Sequence, residues 1–440
     1  MTRIPAACCA LCACALSACI VVDTDYDKVP PGVYRGVFYL DGRLSERVEP
    51  DDIAANFQLD DVPQGELPVN FEVGYRPDSS LRFTFVNGDE RIEASRVEFE
   101  RLFESARDSL TVHFPLNDAY LTAYHEEGTI EGAYVDLSRG SDYRIPFTGF
   151  HGVSYRFTEL EKQPAADLSG RWATTFGVEP GAEPYAAVGE FEQSGNRLRG
   201  TFLTATGDYR YLDGTIQGER FYLSTFDGGH VFLFAGKLVG DSLLGIFRSG
   251  NHYQTIWTAG RDADARLPDA SAETVVTDGG PVAVLGFDPR TGRRVSVLDR
   301  PEVAGKYKVL SLMGSWCPNC RDEAVYLDSL LATLPRDRVA VVGLAYERMR
   351  DTSRALSAVE RFRENLDISY PIVLAGSSDK AEATSGLGFV EEVKSFPTML
   401  VLTPDNRVVY THTGFTGPAT SQYGQFAREF SDTLRQIIAR

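Results

Sequence analysis

The sequence predicts a multidomain protein in which an all-β region, antiparallel and sandwich- or barrel-like, precedes an α/β domain. Short alternating strands between turn residues fill residues 33–260, whereas apolar strands alternate with amphipathic helices over residues 275–440. The acidic excess of the chain also ends at this boundary. With 440 residues, the chain has room for two to four domains of roughly 100–200 residues each.

Alternation and turn chemistry predict the all-β region. In the stretch LRFTFVNGDERI, Leu81, Phe83 and Phe85 fall on one face of a strand, and Asn87 and the glycine after it supply a hairpin turn. Gly-Asp, Asp-Gly and Gly-Gly pairs then recur at roughly 8–12-residue spacing, as they do in antiparallel sandwiches and barrels. This pattern indicates many short strands joined by tight turns.

Breaks in the pattern predict the domain boundaries. The stretch EKQPAADLSG contains proline and small residues and interrupts the strands. We therefore expect one β-rich domain at 33–160, a second at 165–262, a linker at 263–274 and the α/β domain at 275–440.

The α/β domain is predicted because the spacing of apolar residues changes from that of short alternating strands to that of buried strands and helices. The stretch KYKVLSLMGS at 306–315 is continuously apolar, as expected for a strand buried on both faces. The following residues have helical spacing of apolar positions, and Pro335 ends that helix. Two further helices follow from the same spacing. The apolar positions of the three helices are Val325, Leu327, Leu330, Leu331 and Leu334; Leu356, Val359, Phe362 and Leu366; and Phe426, Phe430, Leu434 and Ile437. Alternating strands and helices imply a central sheet covered by helices.

Charge separates the two halves and excludes one class of partner. Residues 275–440 carry 20 basic and 20 acidic side chains, so the net charge of −18 belongs to residues 1–274. An acidic surface of this size repels nucleic acid. Solubility and spacing from a membrane explain the charge more simply than recognition of a basic partner does.

The N-terminus has the layout of an export signal. Arg3 precedes an apolar stretch rich in alanine and cysteine, too short to span a membrane. The stretch ends in LSAC and resembles the lipobox of bacterial lipoproteins, with an ordinary secretory signal as the alternative. The resemblance implies a signal peptide at 1–18, acylation of Cys19 and a lipidated tether at 19–32. Ile20, which is not aspartate, then implies an outer-membrane protein facing the periplasm.

Two cysteines stand alone in the second half of the chain. Cys317 and Cys320 fall in GSWCPNC, where the buried strand ends and a helix begins. A helix N-terminus favours a thiolate, and the thiolate is the nucleophile in disulfide exchange. Two intervening residues let Cys320 close a disulfide with Cys317, so the pattern indicates a thioredoxin-type redox motif. We expect the sulfur of Cys317 to be reachable from solvent.

Other interpretations of this pair are weaker. A structural zinc site needs four ligands, and the sequence has no second C-x-x-C or H-x-x-H, so we predict no metal. A purely structural disulfide would close a very short loop and would contribute little. A peroxidatic cysteine lacks its flanking threonine, because Gly314 stands in that position.

At SWCPNCRDE and SFPTMLVLTPDNRVV, the sequence resembles the thioredoxin superfamily, and most of all the exported TlpA/ResA-type thiol–disulfide oxidoreductases. The resemblance covers residues 275–440. It implies a thioredoxin-like fold and a cis peptide bond before Pro397, with the main chain of Phe396 available to pair with a substrate strand.

The same resemblance assigns roles around the two cysteines. It implies that Glu323 helps to move the proton of Cys320, with a glutamate that merely suits the helix dipole as the alternative. Trp316 is expected to pack beside the cysteines and shield them, and Pro318 and Asn319 to tune the redox potential. The family often has a buried acid or asparagine six residues before the first cysteine. Here that residue is Ser311, which leaves open how Cys320 loses its proton.

We therefore predict a membrane-anchored thiol–disulfide oxidoreductase that reduces disulfides of exported proteins. No flavin or nicotinamide motif is present, so we predict no cofactor, and the family implies a membrane thiol reductase as electron donor. The alternative is an envelope binding or assembly lipoprotein whose β domains hold a partner, with the redox domain accessory or acting as an oxidant or isomerase. The β half resembles the region ahead of such domains in some bacterial lipoproteins, which gives it no function of its own.

Overall fold

The structure, a computed structural model, describes residues 28–41, 57, 59, 61–101, 107–114, 116–268, 273–277 and 279–439. The predicted signal peptide and Cys19 lie outside these residues. Three sheets follow one another along the chain: two antiparallel sheets of nine strands, then a mixed sheet of seven strands covered by helices. This is the predicted fold class, an all-β region followed by an α/β domain. Among the described residues, no helix is both long enough and apolar enough to span a bilayer.

The first sheet is an open antiparallel sheet in the order β4-β3-β2-β1-β9-β8-β7-β6-β5. Neighbours in sequence are mostly neighbours in space, as the short turns require. Its strands are β1 (Gly32–Tyr39), β2 (Glu66–Tyr75), β3 (Leu81–Asn87), β4 (Glu90–Glu93), β5 (Arg96–Glu100), β6 (Asp108–His113), β7 (Ala119–Glu126), β8 (Thr129–Asp136) and β9 (Arg144–His151).

The second sheet closes into a barrel. Its order is β11-β10-β18-β17-β16-β15-β14-β12-β13, and β11 also pairs with β12. Its strands are β10 (Gly170–Phe176), β11 (Tyr185–Ser194), β12 (Arg197–Thr204), β13 (Gly207–Asp208), β14 (Leu212–Gln217), β15 (Arg220–Phe226), β16 (Val231–Val239), β17 (Ser242–Ser249) and β18 (Tyr253–Arg261). Aromatic and aliphatic side chains, Trp172 and Trp257 among them, fill the interior. A small barrel filled in this way is a packed core and not a channel.

The first sheet packs against the outside of the barrel. Residues on the outer face of the barrel, such as Tyr222, Phe226 and Leu233, share one core with Phe71 and Phe85 of the first sheet. Strand β15 is therefore buried on both faces over six consecutive residues. Burial on both faces also explains why this strand does not show the apolar–polar alternation of a solvent-facing strand, although it includes the buried polar residues Ser224 and Thr225.

The third sheet has the order β20-β19-β23-β22-β21-β24-β25, with β21, β22 and β23 parallel and the other pairs antiparallel. Its strands are β19 (Leu285–Phe287), β20 (Arg294–Ser296), β21 (Tyr307–Met313), β22 (Val339–Glu347), β23 (Ile372–Ser377), β24 (Thr398–Leu402) and β25 (Val408–Thr413). The helices are α1 (Pro318–Leu331), α2 (Thr352–Asn365), α3 (Lys380–Leu387) and α4 (Tyr423–Ala439).

The helices match the predicted apolar faces with one exception. Leu327, Leu330 and Leu331 of α1 are buried in the core, as their spacing predicts. The prediction is wrong for Val325, which is 44% exposed. It lies one position from the buried Ala324, on the solvent side of the helix, where an isolated apolar residue is common.

Candidate active site

Cys317 lies where the loop after β21 meets α1. Cys317 is the N-cap residue of α1, and Pro318 occupies the first helical turn, where a missing N–H does no harm. The backbone N–H of Cys320 donates to Cys317 Sγ at 3.2 Å. A hydrogen bond from a free helical N–H stabilises negative charge on that sulfur. The two cysteines are not bonded to each other in this structure.

The cis-proline segment faces the first cysteine. The peptide bond between Phe396 and Pro397 is cis, as the resemblance implies. The thiol of Cys317 donates to the carbonyl oxygen of Phe396 at 3.6 Å. The carbonyl of Pro397 in turn accepts from the backbone N–H of Gly414 at 2.8 Å, which ties the segment to the end of β25.

Trp316 packs beside Cys317 and the cis-proline segment. Its ring meets the ring of Phe396 edge to face, with centroids 6.1 Å apart, and its Nε1–H donates to the carbonyl of Tyr346 at 2.9 Å. The guanidinium of Arg348 lies 3.9 Å from the centroid of the Trp316 ring. Arg348 also interacts electrostatically with Cys317, so a cation stands beside the predicted nucleophile.

Glu323 and Ser311 lie together beneath the cysteines. Both are buried, and Ser311 Oγ donates to Glu323 Oε1 at 2.5 Å, while Glu323 Oε2 has no hydrogen-bond partner. Burial raises the pKa of Glu323 to about 8, and the Ser311 hydrogen bond opposes that rise. Burial also raises the pKa of Cys320 well above its usual range, and Cys317 and Glu323 add to the rise. The glutamate predicted from the family is thus placed next to the second cysteine.

One expectation about the site is wrong. The sulfur of Cys317 was expected to be reachable from solvent, but the residue is only 5% exposed, and Phe396 beside it is 7% exposed. Asn319, between the two cysteines, does not face solvent freely either. Its side chain is hydrogen-bonded to the main chain of Asp208 in the barrel.

Comparison with known proteins decides the family of this part of the chain. The family model described as Redoxin matches residues 264–425. These residues form a redoxin domain. The redoxin domain holds both cysteines and the cis-proline segment. In sequence, the redoxin domain is similar to a thiol–disulfide oxidoreductase.

Individual relatives match about a third of the chain. The thiol-disulfide oxidoreductase ResA of Bacillus subtilis (strain 168) is 22% identical over 139 residues, which is 32% of this chain and 69% of ResA. A solved thiol:disulfide interchange protein of the thioredoxin family from Chlorobium tepidum TLS is 18% identical, covers 38% of this chain and 99% of its own, and has a TM-score of 0.28. StoA from Bacillus subtilis is 21% identical, covers 35% and 98%, and has a TM-score of 0.25.

Sequence reasoning missed several residues near the site. Glu347, at the end of β22, accepts from the backbone N–H of Ser315 at 2.8 Å and from its Oγ at 2.9 Å. Arg348 follows it, and Asp208 and Arg210 approach from the barrel. One usable signal was the position of Glu347 and Arg348 at the end of a buried strand, where charged residues often line a site. In the part of the chain that the structure describes, no group of three or more His, Cys, Asp or Glu side chains could hold a metal ion.

Proposed function

We propose that the chain is a membrane-anchored reductase of disulfides in exported proteins, with Cys317 as the attacking thiol and Cys320 as the resolving thiol. One observation carries the proposal. Cys317 sits at a helix N-terminus against the cis-proline segment, with Cys320 one helical turn away and next to the buried Glu323. Disulfide exchange needs a thiolate that can attack and a second thiol that can resolve the mixed disulfide.

The first step is an attack on the substrate disulfide. The thiolate of Cys317 attacks one sulfur, the substrate S–S bond breaks, and the other substrate sulfur leaves as a thiolate. The product is a mixed disulfide between Cys317 and the substrate. The backbone N–H of Cys320 donates to the attacking sulfur, and the guanidinium of Arg348 lies over the ring of the neighbouring Trp316.

The second step regenerates a reduced substrate. The thiol of Cys320 passes its proton to Glu323, and the resulting thiolate attacks Cys317 Sγ. The mixed disulfide breaks, the second substrate sulfur leaves, and Cys317 and Cys320 become a disulfide. The substrate has gained two electrons, which the dithiol has lost. A carboxyl whose pKa is about 8 exchanges protons readily near neutral pH, which suits Glu323 to this role.

The sequence supports the cellular setting. The lipobox-like LSAC at the end of the N-terminal apolar stretch supports acylation of Cys19, and acyl chains anchor a protein without a spanning helix. We place the chain in the cell envelope, on the outer membrane and facing the periplasm. A membrane thiol reductase then restores the dithiol, because the sequence has no nucleotide-cofactor motif of its own.

Reduction of insulin by the mature chain, with dithiothreitol as electron source, tests the enzymatic part. We expect Cys317→Ser to lose the activity and Cys320→Ser to accumulate mixed disulfides, which would identify the substrates. The Cys317→Ser/Cys320→Ser double variant is the matched control for capture. Equal insulin reduction by Cys317→Ser would refute the proposal. A reduction potential below about −200 mV supports a reductant, whereas a value near about −120 mV would indicate an oxidant.

A further inference from the structure

A loop of the barrel is docked on the active-site face of the redoxin domain. We call residues 204–210, between β12 and β14, the barrel loop. The backbone N–H of Asp208 donates to Asn319 Oδ1 at 3.2 Å, and Asn319 Nδ2 donates to the carbonyl of Asp208 at 3.2 Å. Asn319, one of the two residues between the cysteines, thus pairs with both main-chain groups of Asp208. It could pair with an extended polypeptide in the same way.

The barrel loop approaches the redoxin domain too closely for most side chains. A Cβ on Gly207, whose φ is +136°, would lie 2.4 Å from Asn319 Cγ. On the other side of the loop, a Cβ on Gly414 would lie 2.3 Å from the carbonyl oxygen of Ala205. Gly414 is itself hydrogen-bonded to Pro397. The barrel loop therefore lies tightly between the start of α1 and Gly414, the residue that follows β25 and is hydrogen-bonded to the cis-proline.

A buried ionic joint holds the barrel loop in place. The buried Arg210 forms ion pairs with Asp322 of α1 and with Glu90 of the first sheet, and Arg321 Nη2 reaches Glu90 Oε1 at 3.1 Å. These ion pairs thus join the first sheet, the barrel and the redoxin domain at α1 residues that lie within two sequence positions of Cys320. Removing one partner of a buried ion pair leaves an uncompensated charge and is strongly unfavourable.

We propose that the barrel loop is a specificity-determining cover, so that a substrate reaches Cys317 only by displacing it. This inference rests on the proposed function and adds the class of substrate. A mobile, extended segment that carries its disulfide can replace the loop at Asn319 and Gly414. A disulfide held on a rigid surface cannot enter, because the barrel and the first sheet stand over the site. Cys317 is only 5% exposed, as a covered thiol would be.

The test measures how fast the Cys317 thiol reacts in the reduced full chain with two maleimides of the same chemistry. One is N-ethylmaleimide, and the other carries a long polyethylene glycol chain. Peptide mass spectrometry assigns the reaction to Cys317, and glutathione serves as the open reference thiol. In the unaltered chain, we expect the ratio of small-reagent to large-reagent rates to exceed that of glutathione by about tenfold or more.

Two variants remove the cover without touching the thiols. Gly207→Ala introduces the clash with Asn319, and Arg210→Met keeps the side-chain volume but removes the charge between Asp322 and Glu90. In each, we expect both alkylation rates to rise and the size discrimination to fall. Arg197→Ala is the control, since it breaks an ion pair with Asp213 between the neighbouring strands β12 and β14 of the barrel, outside the barrel loop. Circular dichroism reports whether each variant is folded.

The outcomes separate the two proposals. Size discrimination no greater than that of glutathione in the unaltered chain overturns the cover, as do folded Gly207→Ala and Arg210→Met variants with unchanged rates. If the variants expose Cys317 but insulin reduction survives Cys317→Ser, the cover stands and the proposed function fails. If insulin reduction depends on Cys317 but the alkylation rates are unchanged in the folded barrel-loop variants, the proposed function stands and the cover fails.

Discussion

At the residue scale, the polar pair beneath the cysteines is the proton acceptor that the proposed mechanism assigns to Cys320. Ser311 stands where the family often has a buried acid, and it donates to the one glutamate that the site does contain. The second oxygen of Glu323 has no partner and is fully buried. A lone buried carboxyl stays protonated over much of the neutral range, because burial disfavours its charged form. Ser311 and Glu323 thus form one buried hydrogen-bonded pair, whose role in proton transfer is part of the proposed function.

Replacing Glu323 with glutamine keeps the volume and removes the proton acceptor. We expect the resolution step to slow by about a hundredfold, within the usual range for general base catalysis. In the unaltered chain, the rate of the resolution step should rise with pH around the Glu323 pKa of about 8, and this rise should disappear in Glu323→Gln. Rapid-quench measurement of mixed-disulfide decay across the neutral range checks both effects. Glu364→Gln, at an exposed position, is the control, and an unchanged pH profile in Glu323→Gln would contradict the role.

Ser311→Ala tests the positioning of Glu323. The Ser311 hydrogen bond lowers the pKa of Glu323, so its loss should raise that pKa further. We expect the pH profile of the resolution step to move to higher pH, with a slower rate at neutral pH and recovery at alkaline pH. Ser311→Thr retains the hydroxyl and should restore the original profile. A uniform loss of rate at every pH would instead indicate a structural defect.

The sequence predicts only part of this site. Cys317, Cys320, Glu323 and their neighbours are close in sequence, so a motif can place them together. Arg348 lies 31 positions after Cys317, and it reaches the site only because β22 runs parallel to β21 and ends at the same edge. Parallel strands share their carboxyl-terminal edge, but a single sequence does not reveal which strands are neighbours.

At the element scale, the end of β22 fixes the loop that carries the first cysteine. Glu347 is buried and accepts from both the backbone N–H and the hydroxyl of Ser315. Burial raises the pKa of Glu347, and the Ser315 hydrogen bonds and Arg348 oppose that rise. This side chain joins the end of one strand to the loop after its neighbour, and so sets where α1 begins.

Glu347→Ala should therefore destabilise the chain through this loop. Two buried donors on Ser315 would lose their acceptor, at about 1–3 kcal/mol for each unsatisfied group. Glu347→Gln keeps one acceptor oxygen and should cost less. Urea unfolding followed by circular dichroism measures the change, with Glu364→Ala as the exposed control. Equal stability of Glu347→Ala and the control would show that the loop is held by other contacts.

Most elements could be predicted, and the exceptions have physical causes. Continuous apolar runs predict β21 and β22, and the three longer helices follow from their spacing. Helix α3 was not predicted, because its eight residues include serine, threonine and glycine and present few apolar positions. The residues that cap α3 could have indicated this helix. Asp379 accepts from the backbone N–H of Glu382, and Gly388 ends the helix in the left-handed region.

At the scale of the whole molecule, the sequence does not predict how the three sheets assemble. Composition and period separate the β half from the redoxin domain, but the contacts between them join residues far apart in the chain. Arg210 and Asp322 are 112 positions apart. Leu116 of the first sheet's region is buried in the redoxin core, and Arg354 Nη2 donates to Asp118 Oδ2 at 2.5 Å. Part of the acidic half is thus buried against the redoxin domain, so this half is not only a solvent-exposed surface.

The last prediction concerns the pH dependence of this assembly. Burial raises the pKa of Asp208 to about 7, Arg210 opposes the rise, and Asp322 and Glu90 add to it. The pKa values of Glu90 and Asp322 are also raised, chiefly by burial. A carboxyl with a raised pKa contributes stability that is fully present at low pH and is lost as the pH rises through its folded value. Taken alone, these carboxyls should therefore contribute more stability to the docked assembly at pH 5 than at pH 8, by about 1.4 kcal/mol for each unit of pKa rise. Burial lowers the pKa of His252 to about 3, and this group contributes in the opposite direction as the pH rises.

Asp208→Asn removes this contribution while keeping the shape of the side chain and the main-chain pairing with Asn319. We expect the change in its thermal unfolding midpoint between about pH 5 and 8 to lack the fall that Asp208 contributes in the unaltered chain. Arg210 keeps two acidic partners in this variant, so the barrel loop should stay docked, and the maleimide reaction of Cys317 should accelerate with pH no more than that of glutathione. In the unaltered chain, that reaction should accelerate with pH by more than that of glutathione. Identical pH dependence in the two chains would mean that Asp208 does not couple the barrel loop to pH.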